Sequence, residues 1–207
     1  MQTKHWLIIP SVPIVVALGM LWYFSGRGTT NSPLPLSNTN TMQLTSTAFT
    51  PNGLIPAKFT CDGANISPEL KISGVPSGAK SLVLIMDDSD IPDSVKQSRG
   101  IEVFDHWVLY NLLAEFTSLT IPEDYKNTMK VTSSYSLTHE GLNSAGKNAY
   151  TGPCPPDREH CYFFKLYALD IVLDLAEGST KVEVETAMVG HILEQVELVG
   201  RYERVGK

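Results

Sequence analysis

Three short stretches hold side chains whose types and spacing could do chemistry. Met86-Asp87-Asp88-Ser89-Asp90-Ile91-Pro92 sets three carboxylates at the exit of an apolar run. Asp105-His106-Trp107 opens a second apolar run, and Tyr150–Tyr162 carries His160 and Tyr162 straight into a third. Asp, Ser and Pro also suit an ordinary turn, because Asp and Ser bond their own backbone and Pro stops a strand. A carboxylate at the end of a buried strand is instead held stiffly and partly desolvated, so it can orient an imidazole or ligate a metal. A single histidine at a strand start is more often structural than functional. Two histidines and an acid, all at strand ends, point to a shared polar pocket.

Strand side chains alternate between faces, so His160 and Tyr162 point one way and Cys161 the other. Asp88, His106 and His160 also form a plausible zinc set, which gives the competing reading of a metal-dependent hydrolase. Those three positions lack tight metal-ligand spacing. The sequence contains no Gly-x-Ser-x-Gly elbow, His-Glu-x-x-His, Walker loop or Gly-x-Gly-x-x-Gly. Without a nucleophile motif, the expectation is a protein that is not an enzyme and needs no cofactor.

Strands must position these residues. Gln43–Thr47 alternates, Ile55–Thr60 is short and apolar, and Leu70–Ile72 precedes the turn Gly74-Val75-Pro76-Ser77-Gly78. Ser81–Met86 and Asp105–Leu113 read as buried strands, followed by Phe163–Leu169 and Ile171–Leu175. Thr180-Lys181-Val182-Glu183 reads as a capping box opening a helix from about Lys181 to Glu194, with Val184, Met188, Ile192 and Leu193 on one face. Val196–Tyr202 alternates as a last strand. The predicted class is mainly β, a sandwich with one helix near the C-terminus.

The chain has 207 residues, room for one well-buried domain and some extra chain. Hydrophobic content of 43% with 18% charged residues excludes disorder as the general state. A net charge of −6 without a Lys/Arg cluster argues against nucleic acid as a partner. Residues 1–27 stand apart, because Trp6–Phe24 is a run of nineteen uncharged residues. As a helix it would span roughly 28 Å, about one hydrocarbon core. Cleaved signal peptide, uncleaved anchor and buried helix compete. The absence of a polar face disfavours the last, and the absence of a small-x-small cleavage site favours the anchor. The expectation is a membrane tether with the domain outside the cytoplasm, periplasmic or extracellular, or secreted if the segment is cleaved. Residues 28–41 are polar and Pro-containing, a flexible linker, and the folded domain occupies 42–207.

Of the three cysteines, Cys154 and Cys161 share one loop, and an oxidising compartment would favour a Cys154–Cys161 bridge over two free thiols. Cys61 is then the odd one.

Taken together, these pieces resemble the phosphatidylethanolamine-binding protein family. Asp88-Ser89-Asp90-Ile91-Pro92 resembles its Asp-Pro-Asp-Ala-Pro signature. His106 followed by Trp107-Val108-Leu109-Tyr110-Asn111 is similar to its His-strand-Asn element. Gly152-Pro153-Cys154-Pro155-Pro156 with His160-Cys161-Tyr162 resembles its Gly-x-Pro-Pro…His-Arg-Tyr loop. Phe59-Thr60-Cys61-Asp62-Gly63 is similar to the prokaryotic, Raf-kinase-inhibitor-like branch. The resemblance covers about Met42 to Val205. It implies a β-sandwich with a small anion pocket at one end, lined by Asp88, Asp90, Pro92, His106, Pro156, His160 and Tyr162. Such a pocket suits a phosphate- or carboxylate-bearing ligand: two imidazoles and a phenol can donate to it while Asp88 holds an imidazole in its donating form. The implied partners are a small anion, a phospholipid headgroup, or a kinase or serine protease under inhibition. Ser89 stands where the family has Pro. Cys161 stands where it has Arg, which removes a cation beside the pocket and strengthens the expectation of the Cys154–Cys161 bridge.

Overall fold

The apolar run at Ser81–Met86 becomes the inside of a six-stranded sheet. In the computed structural model, which describes residues 41–114, 117–129 and 137–204, strand β4 (Ser81–Asp88) is buried at all eight positions. It pairs antiparallel with β5 (Phe104–Leu113) on one side and β8 (His160–Leu169) on the other. The sheet is completed by β9 (Ile192–Tyr202) beside β8, by β2 (Gly53–Leu54) beyond β9, and by β7 (His139–Glu140) beyond β5. A second sheet of β1 (Gln43–Ser46), β3 (Leu70–Ser73) and β6 (Ser118–Ile121) has the order β1-β3-β6. These residues lie in one compact unit, Thr39–Lys207.

Burial on both faces explains why β4 reads as a continuous apolar run. Leu82, Leu84 and Met86 enter the core with Trp107, Leu109, Phe164 and Leu166, which also takes Leu44, Leu70 and Ile72 from the small sheet. Val83 and Ile85 face the other way, into a second core with Val108, Tyr110, Leu169 and Leu173. Helix α3 (Lys181–Met188) covers that face through Val184 and Met188. Its capping box forms as the sequence predicts, with the Thr180 hydroxyl accepting from the Glu183 N–H and the Glu183 carboxylate accepting from the Thr180 N–H.

Several expected boundaries shift, each for a local reason. Helix α3 stops at Met188 instead of running to Glu194, because Gly190 adopts a left-handed φ of 82°. The chain from Ile192 then joins β9, so Ile192 and Leu193 lie exposed instead of on a helix face. Ile55–Thr60 forms a short 3-10 turn at Ala57–Phe59 behind Pro56. Ile171–Leu175 is not a strand. The Asn111 side chain takes both backbone groups of Leu173, donating to its carbonyl at 2.9 Å and accepting from its N–H at 2.8 Å. Asn111 itself sits at φ 57°, within the register irregularity between β4 and β5.

Helices α1 (Asp93–Arg99) and α2 (Tyr125–Met129) and the short strands β6 and β7 have no counterpart in the sequence reading. The apolar segment 1–27, expected to anchor the chain, lies outside the described residues, as does the linker up to residue 40. Among the described residues no helix is long and apolar enough to cross a membrane.

Candidate ligand-binding site

The ends of β4, β5 and β8 converge where the sequence puts its polar residues. A cavity of about 270 Å³ opens there. Asp88, Pro92, His106, Pro156 and His160 line it, together with Phe104, Thr151, Gly152 and Cys154. Ile91, Val95 and Arg99, from α1 and the residues before it, complete the lining with Pro155.

Asp88 is the last residue of β4 and is almost wholly buried. Its Oδ2 lies 2.7 Å from Nδ1 of His160, and its Oδ1 accepts from the Asp90 N–H at 2.7 Å. Burial raises the Asp88 carboxyl above the usual carboxylate range, and the hydrogen bond from His160 opposes it. Asp87 points to the opposite face, where Lys165 and Lys181 each donate to it at 2.8 Å. Lys181 also lies 3.0 Å from Asp105, so it ties α3 to the sheet directly behind the pocket.

His106 is fixed from the loop. Its Nδ1 lies 2.6 Å from the Thr151 carbonyl, an acceptor only, so Nδ1 carries the proton and donates. In the neutral ring Nε2 is then an acceptor. Burial lowers the His106 pKa from 6.5 to about 4, against the raising effect of the Thr151 carbonyl, so the ring is neutral at pH 7. The expectation that both imidazoles donate to a ligand is corrected here: neutral His106 offers a lone pair. Phe104 packs 4.7 Å from its ring and Tyr162 meets it edge-on at 5.2 Å.

His160 is completely buried and is held at both ring nitrogens. Besides Asp88 on Nδ1, the Asp157 Oδ1 lies 2.9 Å from Nε2. Tyr162 stacks behind it with ring centroids 6.4 Å apart, as strand alternation requires. The Tyr162 hydroxyl is buried beside the Cys154 backbone N–H, and Tyr162 sits behind His160 instead of among the residues that line the cavity, where the sequence reading expected it. Burial raises its pKa, so it remains a phenol and a donor. Asp90 stands outside the cavity. Its Oδ2 accepts from the Cys161 N–H at 2.8 Å, which clips the loop after β4 onto the start of β8.

The loop Tyr150–Cys154 is locked across the cavity floor. Tyr150 donates to the Phe59 carbonyl at 2.7 Å, the Thr151 N–H to the His106 carbonyl at 3.0 Å, and the Gly152 N–H to the Asn65 side chain at 2.7 Å. Gly152 is required by close approach, because a Cβ there would lie 2.3 Å from the Phe59 carbonyl oxygen. This docking decides the disulfide. Cys154 pairs with Cys61, Cα atoms 5.4 Å apart, and Cys161 is a free thiol. The expected Cys154–Cys161 bridge is therefore overturned. The Cys61 N–H donates to the Pro153 carbonyl at 3.0 Å, bringing those two cysteines together, while alternation turns Cys161 to the other side of β8.

Sequence reading missed four contributors. Thr151 acts through its backbone and leaves no side-chain signal. Phe104 and Arg99 come from an unforeseen helix and the residues after it, although Pro92-Asp93 and Arg99-Gly100 are start and stop signals for that helix. Arg99 lies over the Phe104 ring at 5.6 Å, donates to the Ser144 carbonyl at 3.2 Å and puts a cation on the cavity wall. Asp157 is the fourth. A metal centre on Asp88, His106 and His160 has no geometric support: among the described residues no group of three His, Cys, Asp or Glu side chains is arranged to hold an ion.

The family model for phosphatidylethanolamine-binding protein matches residues 45–203, and the chain belongs to that family. A UPF0098 protein of Chlamydia pneumoniae is 44% identical over 163 residues, covering 79% of this chain and 99% of the relative. A UPF0098 protein of Methanothermobacter thermautotrophicus shows the same identity and coverage. Among solved structures, CT736 of Chlamydia trachomatis, described as a phosphatidylethanolamine-binding protein homolog, is 44% identical. It aligns with a TM-score of 0.69 over 80% of this chain and 99% of that one. Escherichia coli YbcL, described as a member of the mammalian family, is 27% identical with a TM-score of 0.66, covering 79% and 98%.

Proposed function

We propose that this chain is a non-enzymatic binding module whose cavity takes the phosphate or carboxylate group of a small molecule or lipid headgroup. The observation that carries the reading is a strand-end cavity of about 270 Å³ lined by Asp88, His106, His160 and Arg99, a carboxylate, two imidazoles and a cation brought together from separate elements. Family membership supports the same reading. The chemistry is mixed: Arg99 adds positive charge, His160 presents an imidazole held by Asp88, and neutral His106 accepts. A singly protonated phosphate, or a headgroup N–H beside one, meets all of these.

The Cys61–Cys154 bridge supports action in an oxidising compartment, consistent with a domain carried outside the cytoplasm on residues 1–27. Thermal unfolding of the protein in phosphate or phosphoethanolamine tests the binding. At ligand concentrations of about 100 times Kd the folded state gains about 2.7 kcal/mol, a rise in Tm of several degrees. His160→Ala should abolish the rise. A wild-type Tm indifferent to both ligands would sink the reading.

A further inference from the structure

The two pocket histidines have four ring nitrogens between them, and three are engaged within the chain. His160 has Asp88 on Nδ1 at 2.7 Å and Asp157 on Nε2 at 2.9 Å, and His106 has the Thr151 carbonyl on Nδ1 at 2.6 Å. Nε2 of His106 is the one without a partner among the described residues. Its ring lines the strand-end cavity. A carbonyl oxygen can only accept, so the proton sits on Nδ1 and Nε2 holds a lone pair. Burial of the ring disfavours an imidazolium and outweighs the Thr151 carbonyl and Asp87 of β4, which favour one; His160 of β8 also disfavours it. Asp88 and Arg99 are the other charged groups at the cavity. Asp88 is already engaged by His160 and the Asp90 N–H, and Arg99 donates to the Ser144 carbonyl at 3.2 Å. The open ring position of the pocket is therefore an acceptor.

We propose that Nε2 of His106 selects ligands by the proton they carry, so that the pocket admits anions with a hydrogen-bond donor and rejects anions of the same shape and charge without one. This rests on the reading of the cavity as an anion pocket and narrows it. Hydrogen phosphate and sulfate are both tetrahedral dianions, but only phosphate has an O–H to give. With sulfate an oxygen lone pair would face the imidazole lone pair, and the buried acceptor would stay unsatisfied. Leaving such an acceptor unpaired separates the two ions by on the order of ten- to a hundredfold in affinity. A site built to hydrogen-bond a ligand group rejects the analogue that lacks it far more strongly than an apolar site rejects a misfit. A phosphate diester has no proton to give, and enters only when its substituent carries the donor, as the ammonium of an ethanolamine headgroup does.

The test is titration calorimetry of the protein at about pH 8, where phosphate and sulfate each carry two charges. The probes are inorganic phosphate, sulfate, dimethyl phosphate and glycerophosphoethanolamine. Phosphate should bind, with sulfate and dimethyl phosphate weaker by on the order of tenfold or more. Binding of glycerophosphoethanolamine identifies the headgroup ammonium as a donor and a lipid as the source. Its rejection beside bound phosphate identifies a free or monoester phosphate, and either outcome supports the role. His106→Gln presents an amide that can donate as well as accept, so sulfate should gain and the phosphate-to-sulfate ratio should fall toward one. Ring 15N spectra of the wild type carry the test if that variant does not fold. On adding phosphate the His106 Nε2 resonance should move while Nε2 stays unprotonated and Nδ1 keeps its proton. Equal affinities for phosphate and sulfate, an unchanged ratio in His106→Gln, or a ring protonated at both nitrogens in the phosphate complex would overturn the role of His106 and leave the pocket reading standing. No binding of any probe would overturn both.

Discussion

The two pocket histidines differ because of their nearest acceptors. A backbone carbonyl makes His106 a neutral acceptor, while two carboxylates surround His160. His106 therefore leaves a signature in stability. Its pKa is about 4 in the folded protein against 6.5 when unfolded. Between those values the unfolded chain binds a proton that the folded state excludes, so stability falls as pH drops from 6.5 to about 4. The full contribution is roughly 3 kcal/mol. Asp88, with its carboxyl held above the usual range, acts in the opposite sense, because the folded state binds its proton more tightly. Urea melts of wild type and His106→Phe across pH 4–7 separate the two. The variant should lose the decline due to His106, and parallel curves would show that the imidazole is not kept neutral by its site.

At the scale of elements, the pocket depends on a loop held by backbone contacts more than on the strands beside it. Gly152 passes so close to Phe59 and Thr60 that no side chain fits. Gly152→Ala should push Tyr150–Cys154 off its bed, destabilise the domain by roughly 1–3 kcal/mol, and move Thr151 away from His106. Chemical denaturation measures the first effect, and the His106 ring 15N shifts report the second. Full stability with unchanged ring signals would mean that the loop adapts freely. Strand β8 presents His160 and Tyr162 by alternation, and the Asp90 clip on Cys161 fixes its register at the pocket end.

At the scale of the whole molecule, the Cys61–Cys154 bridge joins positions 93 residues apart, across the pocket loop. A loop of that length is worth on the order of 4 kcal/mol in the chain-entropy picture. Reduction, or Cys61→Ala with Cys154→Ala, should lower Tm by many degrees and loosen the cavity floor. Peptide mapping of unreduced protein should find Cys61 joined to Cys154 and only Cys161 alkylated. A Cys154–Cys161 peptide would refute the pairing.

What the sequence determined by itself was whatever depends on neighbours along the chain. The apolar runs at Ser81–Met86 and Asp105–Leu113, the alternation that sets His160 beside Tyr162, and the capping box at Thr180 follow from short-range sterics and periodicity. So does the arrival of Asp88, His106 and His160 at strand ends, and their ordered motifs were enough to point to the family. Tertiary structure alone decided which groups those side chains meet. Thr151 on His106, Asp157 on His160, Asn111 on Leu173 and Cys61 on Cys154 are contacts made when loops dock. The outcome depends on backbone geometry summed over many residues, which no local spacing encodes. Cys154 and Cys161 are close in sequence and were expected to pair for that reason. They part because strand alternation and loop docking carry them to different neighbours.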